Sequence, residues 1–194
     1  DSFFVTLSSR VVYQIEEYES TFNTTEYLWF QTTDKTKLAV AGDTYAKSFI
    51  SNEKNRFDII DFSYENKTAV DGSTSFYSAM NSDAKSVLIS LGIRDYAYKV
   101  DVIEFEKALR SYINLACLRH KKVYLHTYMH YVGEKSQNRT PRISDFDDVI
   151  KKLSDEYENT TYIDMSDYAT DTYQLPDGNY NKAFYDALFA ELHL

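Results

Sequence analysis

Four short segments of this 194-residue chain place a glycine beside polar or charged side chains: Gly42-Asp43-Thr44, Gly72 within AVDGSTSFY, Gly92-Ile93-Arg94-Asp95, and Asp177-Gly178-Asn179-Tyr180. Together they offer a hydroxyl at Thr44, a guanidinium at Arg94, a phenol at Tyr180 and carboxylates at Asp43, Asp95 and Asp177. A side-chain hydroxyl is a poor nucleophile until a neighbouring base takes its proton, a task suited to histidine because its pKa lies near neutrality. His126 and His130 lie at and just beyond the end of an apolar run, where one of them could serve as such a base. As ordinary structural residues, His126 would pack or hydrogen-bond within its strand and His130 would sit in a loop. They lack a third partner for metal binding, so neither a metal nor a cofactor is expected.

Short β-type runs alternating with longer helical patterns must present these segments. Lys37 to Ala41 (KLAVA) reads as a first strand ending at Gly42, followed by helix-compatible Tyr45 to Asn52. Further strands are expected at Phe57 to Asp61, at Ser86 to Leu91, from Lys122 to Thr127 and at Thr161 to Asp164. Asp101 with Glu104 resembles an N-terminal capping pair, and Val102, Phe105, Leu109, Tyr112, Ile113 and Ala116 recur at helical spacing to about Arg119. Ser144 is placed to cap a helix bearing Phe146, Val149, Ile150 and Leu153, and a last helix carries Phe184, Leu188 and Leu192. This alternation is the signature of βαβ units, predicting an α/β fold with a five-stranded parallel sheet over 37–194. In such a sheet ligands bind outside the carboxyl ends of the strands, where the polar segments fall. Residues 1–36 do not fit the rhythm and are expected to be an extension packed on the domain edge.

The composition narrows the function. Thirty acidic against 21 basic side chains give a net charge of −9, which disfavours nucleic acid and anionic membrane surfaces. The single cysteine, Cys117, excludes an internal disulfide and cysteine-based metal sites. Apolar runs fall short of the roughly 20 residues of a membrane span. The chain begins at Asp1 without a basic and apolar leader, so a targeting segment was either removed or never present. Eighteen tyrosines against five glycines and two prolines make turn residues scarce, so each glycine is expected where a side chain would clash or the backbone needs positive φ.

The ordered set LAVAGDT, AVDGSTSFY, VLISLGIRD and PDGNYNKAFYDAL resembles the four blocks of the SGNH, or GDSL, hydrolases. That family has a flavodoxin-like three-layer α/β/α sandwich with Gly-Asp-Ser after the first strand, a glycine in a second block, Gly-x-Asn-Asp after the third strand, and Asp-x-x-His before the last helix. The resemblance puts Thr44 at the position of the nucleophilic serine and Gly72 at the glycine whose N–H helps hold an oxyanion. Arg94 falls at the second oxyanion donor, asparagine in the family, Asp177 at the triad carboxylate and Tyr180 at the histidine base. Asp43 and Asp95 neighbour these positions and, as structural residues, would cap helices or hold loops by accepting backbone N–H bonds.

A tyrosine is protonated at pH 7 and does not replace a histidine base, and losing the base of such a triad costs several orders of magnitude in rate. The resemblance therefore implies a catalytically impaired domain that binds an acylated carbohydrate or cell-wall polymer. It further implies the extracellular face of a bacterium, beside a membrane acyltransferase. Two other readings stand beside it: an active carbohydrate O-acyl esterase or acyltransferase using Thr44 with a base such as His130, and a structural or interaction module. In the last, Arg94 and Tyr180 would fill the cleft, with Arg94 paired to Asp43, Asp95 or Asp177.

Overall fold

The computed structural model describes residues 36–53, 58–126, 140–168, 172–175 and 179–193. Its strands β1 (Lys37–Gly42), β2 (Asp58–Ser63), β3 (Ser86–Ser90), β4 (Lys122–His126) and β5 (Thr160–Ile163) form one sheet in the order β2-β1-β3-β4-β5, every pair parallel. The helices are α1 (Thr44–Glu53), α2 (Ser73–Asn81), α3 (Ile93–Tyr98), α4 (Val102–Leu118), α5 (Ile143–Glu156) and α6 (Lys182–Ala190). α1 packs with α6, while α4 packs with both α2 and α5, so helical layers cover the sheet in the flavodoxin-like three-layer α/β/α arrangement.

The burial of the strands follows their place in the sheet. Central β3 is buried throughout, and β1 is buried from Leu38 onward, as apolar strands covered on both faces must be. Edge strands β2 and β5 are only partly buried and carry Asp58, Asp61, Thr160 and Thr161. Much of the aromatic excess fills the helical layers: Phe76 stacks on Tyr112 at 4.1 Å, and Phe105 meets Phe146 edge-on at 5.0 Å. Among the described residues no helix is long and apolar enough to cross a membrane.

Helix α4 starts as expected, with the Asp101 carboxylate accepting the Ile103 N–H at 2.7 Å. Helix α5 does not: Ser144 lies inside it, and the N-cap is Arg142, whose backbone N–H donates to Asp145 Oδ2 at 2.7 Å. The first-turn carboxylate satisfies the N-cap N–H, a different donor from the one a capping serine would have served. Helices α2 and α3 were not anticipated, because STSFYSAMN and IRDYAY are short and mix small polar residues with aromatics. The expected strand ends shift by one or two residues, with β2 running to Ser63 and β3 stopping at Ser90. Residues 1–35, and with them nearly all of the expected extension, lie outside the described residues.

The carboxyl ends of β1 and β3 meet with no space for a side chain at Gly42. Its φ is +140°, and a Cβ there would stand 1.8 Å from the Ser90 carbonyl oxygen. Gly42→Ala therefore combines a backbone conformation unfavourable to L-residues with a clash against backbone. We expect it to lower unfolding free energy by at least about 3 kcal/mol. The shift in urea midpoint against the wild-type chain measures this.

Candidate functional site

With this strand order the chain winds outward in opposite directions from the β1/β3 pair, leaving a crevice at the carboxyl ends of these two strands. Two backbone hydrogen bonds set its floor: the Asp43 N–H donates to the Ser90 carbonyl at 2.9 Å and the Tyr64 N–H to the Gly42 carbonyl at 2.8 Å. Asp43 and Thr44 thus emerge beside Arg94 and Asp95, although fifty positions separate Thr44 from Arg94 in the chain.

Arg94 Nη2 donates to Thr44 Oγ1 at 3.1 Å. A hydrogen bond to a charged donor contributes about 1.5–3 kcal/mol and fixes the hydroxyl as the acceptor in this contact. Thr44 therefore meets a permanent cation, which has no lone pair with which to take its proton. The neighbouring carboxylates do not reach that cation, and Arg94 forms no ion pair among the described residues. Both Asp95 oxygens lie within hydrogen-bonding distance of the Ala69 N–H, at 3.0 and 3.2 Å, and Asp43 Oδ1 accepts the Tyr45 N–H at 3.3 Å. The two carboxylates thus accept backbone N–H bonds, the structural role open to them from the sequence.

Asp95 pins the turn that carries Gly72. The Tyr112 hydroxyl donates to the Ala69 carbonyl at 2.5 Å, so both polar groups of Ala69 are held, and Asp71 Oδ2 accepts from Thr68 Oγ1 at 2.8 Å. Gly72 lies against Tyr64, whose ring atoms would stand 2.4–2.5 Å from an added Cβ. Its N–H, expected to face an oxyanion, instead donates to the Thr68 carbonyl at 3.0 Å. The turn closes on itself, and that expectation is corrected accordingly.

Tyr180 is packed among aromatic rings. It is 3% exposed, and its ring stacks on Phe184 at 4.1 Å and 12° and lies 5.8 Å from the Tyr45 ring. The backbone sets this position: Gln174 and Tyr180 form an antiparallel bridge, and the Asn181 side chain caps α6 by accepting the Ala183 N–H at 3.0 Å. The Tyr45 phenol is pushed up by burial, with Tyr180 and Asp43 adding to the effect and Arg94 opposing it. That phenol stays protonated and supplies no base.

His126 is buried at the end of β4, and its Nε2 lies 2.8 Å from Ser90 Oγ, itself buried at the end of β3. This Ser90–His126 contact went unnoticed in the sequence, although a serine closing the buried apolar run SVLIS is a polar group that needs a partner. It places His126 in a cross-strand hydrogen bond, the structural role weighed for it. Asp177 and His130 lie outside the described residues. Among the described residues no group of three or more His, Cys, Asp or Glu is placed to hold a metal ion. A cavity of about 600 Å³ lined by Cys117, His120, Lys121, Lys122, Tyr157 and Asn159 lies at the amino ends of β4 and β5. It is at the opposite end of the strands from Thr44 and Arg94, away from the end where parallel sheets bind ligands.

No family model matches the chain and no curated protein matches its sequence, but solved structures match its fold. A G-D-S-L family protein from Desulfitobacterium hafniense DCB-2, described as lipolytic, is 17% identical with a TM-score of 0.64, covering 80% of this chain and 96% of its own. A GDSL-like lipase from Bacteroides thetaiotaomicron VPI-5482 is 14% identical with a TM-score of 0.67, over 90% and 93%. An acetyl xylan esterase is 17% identical with a TM-score of 0.63, over 80% and 99%. The likeness is one of fold.

Burial pushes the Asp95 carboxyl up to about 6, with the Ala69 N–H pulling the other way. The folded chain then keeps a proton that the unfolded chain, at an ordinary aspartate value near 3.8, has released. This contribution to stability is fully present below about pH 4 and is lost as pH rises through about 6. Asp95→Asn should flatten the curve of unfolding free energy by about 3 kcal/mol across that window. Urea titrations of both proteins at pH 4, 5, 6 and 7 test it, and parallel curves would refute it.

Proposed function

We propose that this chain, which carries the fold of GDSL-type acylhydrolases, binds an acylated carbohydrate or cell-wall polymer without hydrolysing it. One observation carries the reading: the hydroxyl at the nucleophile position accepts a hydrogen bond from Arg94 at 3.1 Å. Tyr180, at the position of the family's base, lies buried in an aromatic stack. Acyl transfer to a side-chain hydroxyl requires its proton to leave, and neither group removes it. The fold still brings polar donors to the crevice where relatives of this architecture bind. The ligand class rests on the family resemblance, with the acetyl xylan esterase among the neighbours as an ester-bearing carbohydrate precedent. An extracellular bacterial location beside a membrane acyltransferase belongs to the same proposal.

The two other readings make contrary claims at the same residues. An active esterase or acyltransferase using Thr44 needs a base from outside the described residues, with His130 the named choice. A filled, purely structural cleft called for Arg94 to pair with Asp43, Asp95 or Asp177; among the described residues Arg94 bonds to Thr44 and to neither Asp43 nor Asp95, while Asp177 lies outside them.

Hydrolysis of a small acetyl ester and of acetylated xylo-oligosaccharides by the wild-type chain and Thr44→Ala separates binding from turnover. We expect both proteins at background. Wild-type turnover lost in the variant would establish the esterase reading. NMR titration with the same oligosaccharides should shift signals of Thr44, Arg94 and Tyr180, whereas shifts confined to other surfaces would count against the cleft.

A further inference from the structure

The crevice presents hydrogen-bond donors and a charge with no ion-pair partner among the described residues. Arg94 makes one hydrogen bond among the described residues, from Nη2 to Thr44. Its Nε is buried with no acceptor. A partly buried guanidinium whose donors are largely unused is an uncommon arrangement, and unsatisfied buried polar atoms in native folds often mark sites of function.

Among the described residues the neighbouring anions are engaged elsewhere. Asp95 holds the Ala69 N–H, and Asp43 holds the Tyr45 N–H. Exposed Glu65 is ion-paired with Lys47, which holds its carboxyl below the usual range, and Arg94 is a lesser contributor to that effect. Thr44 completes the pattern, because a hydroxyl accepting from Arg94 has its own proton left to give. The pair therefore faces a ligand with N–H and O–H donors and a positive charge.

We infer that the Thr44–Arg94 pair is a binding site for an anionic group, a carboxylate or a phosphate, carried by the carbohydrate ligand. This rests on the proposed binding function and specifies the ligand class further: an acidic, acylated glycan. Guanidinium N–H groups match the paired oxygens of both anions, and the Thr44 hydroxyl adds a third donor to the same acceptor. A neutral acyl carbonyl also accepts hydrogen bonds, but it does not neutralise the cation. With a net charge of −9 the chain repels anions at long range, so recognition depends on this local contact and selects ligands that fit it.

Calorimetric titration of the full chain with three probes tests the inference: neutral acetylated xylo-oligosaccharides, the same oligosaccharides bearing glucuronic acid, and acetylated oligosaccharides bearing a phosphate monoester. We expect one of the acidic probes to bind at least about tenfold more tightly than the neutral one, the arm that does so identifying the anion. Raising the salt concentration should narrow that gap. Arg94→Gln should abolish the preference, so that acidic and neutral probes bind this variant alike, and Arg94→Lys should keep part of it. Equal binding of neutral and acidic probes by the wild-type chain overturns the anion site and leaves the carbohydrate reading standing. A preference unchanged in Arg94→Gln assigns the charge recognition to another place and likewise overturns it. Failure of all three probes to bind overturns both.

Discussion

The contact on which the site depends is between backbones, at the carboxyl ends of β1 and β3. The strands approach so closely that a β-carbon at Gly42 would fall inside the Ser90 carbonyl. The Asp43 N–H then bonds to that carbonyl. This closure turns the chain sharply out of the sheet, so that helix α1 begins at Thr44 and meets Arg94 from the loop after β3. A larger residue at position 42 would separate the strands and, with them, the hydroxyl and the guanidinium. The glycine is thus a geometric requirement of the site as well as of the sheet.

Given that geometry, the chemistry of the crevice follows from which groups are engaged by the fold. Asp43 and Asp95 are 1% exposed and adjoin Thr44 and Arg94 in the chain, so an ion pair with the guanidinium would be the simple expectation. The backbone takes them first. Asp95 is needed at Ala69, where with Tyr112 it fixes a turn that has no regular structure of its own, and Asp43 accepts an N–H at the start of α1. A carboxylate accepting backbone N–H bonds in a buried loop is costly to remove, since its loss leaves donors unsatisfied. Their engagement leaves the cation to Thr44.

Much of this was legible in the sequence, and the parts that were not have physical reasons. The strand and helix alternation, the buried character of SVLIS and the helical face of Phe105, Leu109, Tyr112 and Ile113 follow from periodicity, a local property that tertiary packing rarely overrides when the run is long. The four glycine-bearing segments were found by residue type, and two of them, around Thr44 and Arg94, meet in the fold. Helices α2 and α3 were missed because nine and six residues of mixed polarity give too little periodic signal. The direction of the Gly72 N–H was beyond the sequence, because it depends on how the Thr68–Gly72 turn closes. The partnership of Ser90 with His126 depends on strand order, which no local pattern encodes.

The aromatic residues connect packing to function. Tyr180 and Phe184 stack one turn apart at the start of α6, with Tyr45 against the first and the His126 ring 6.4 Å from the second. This cluster fills the space between the start of α6 and α1 with rings. Stacked rings at such spacing add stability beyond their buried area, and a buried Tyr45 phenol gives up its proton reluctantly. The same packing steadies α6 against α1, beside the Arg94 guanidinium and its Thr44 partner. Packing of the rings and placement of the guanidinium thus have one origin, the closure of α1 and the loop after β3 against the carboxyl ends of β1 and β3.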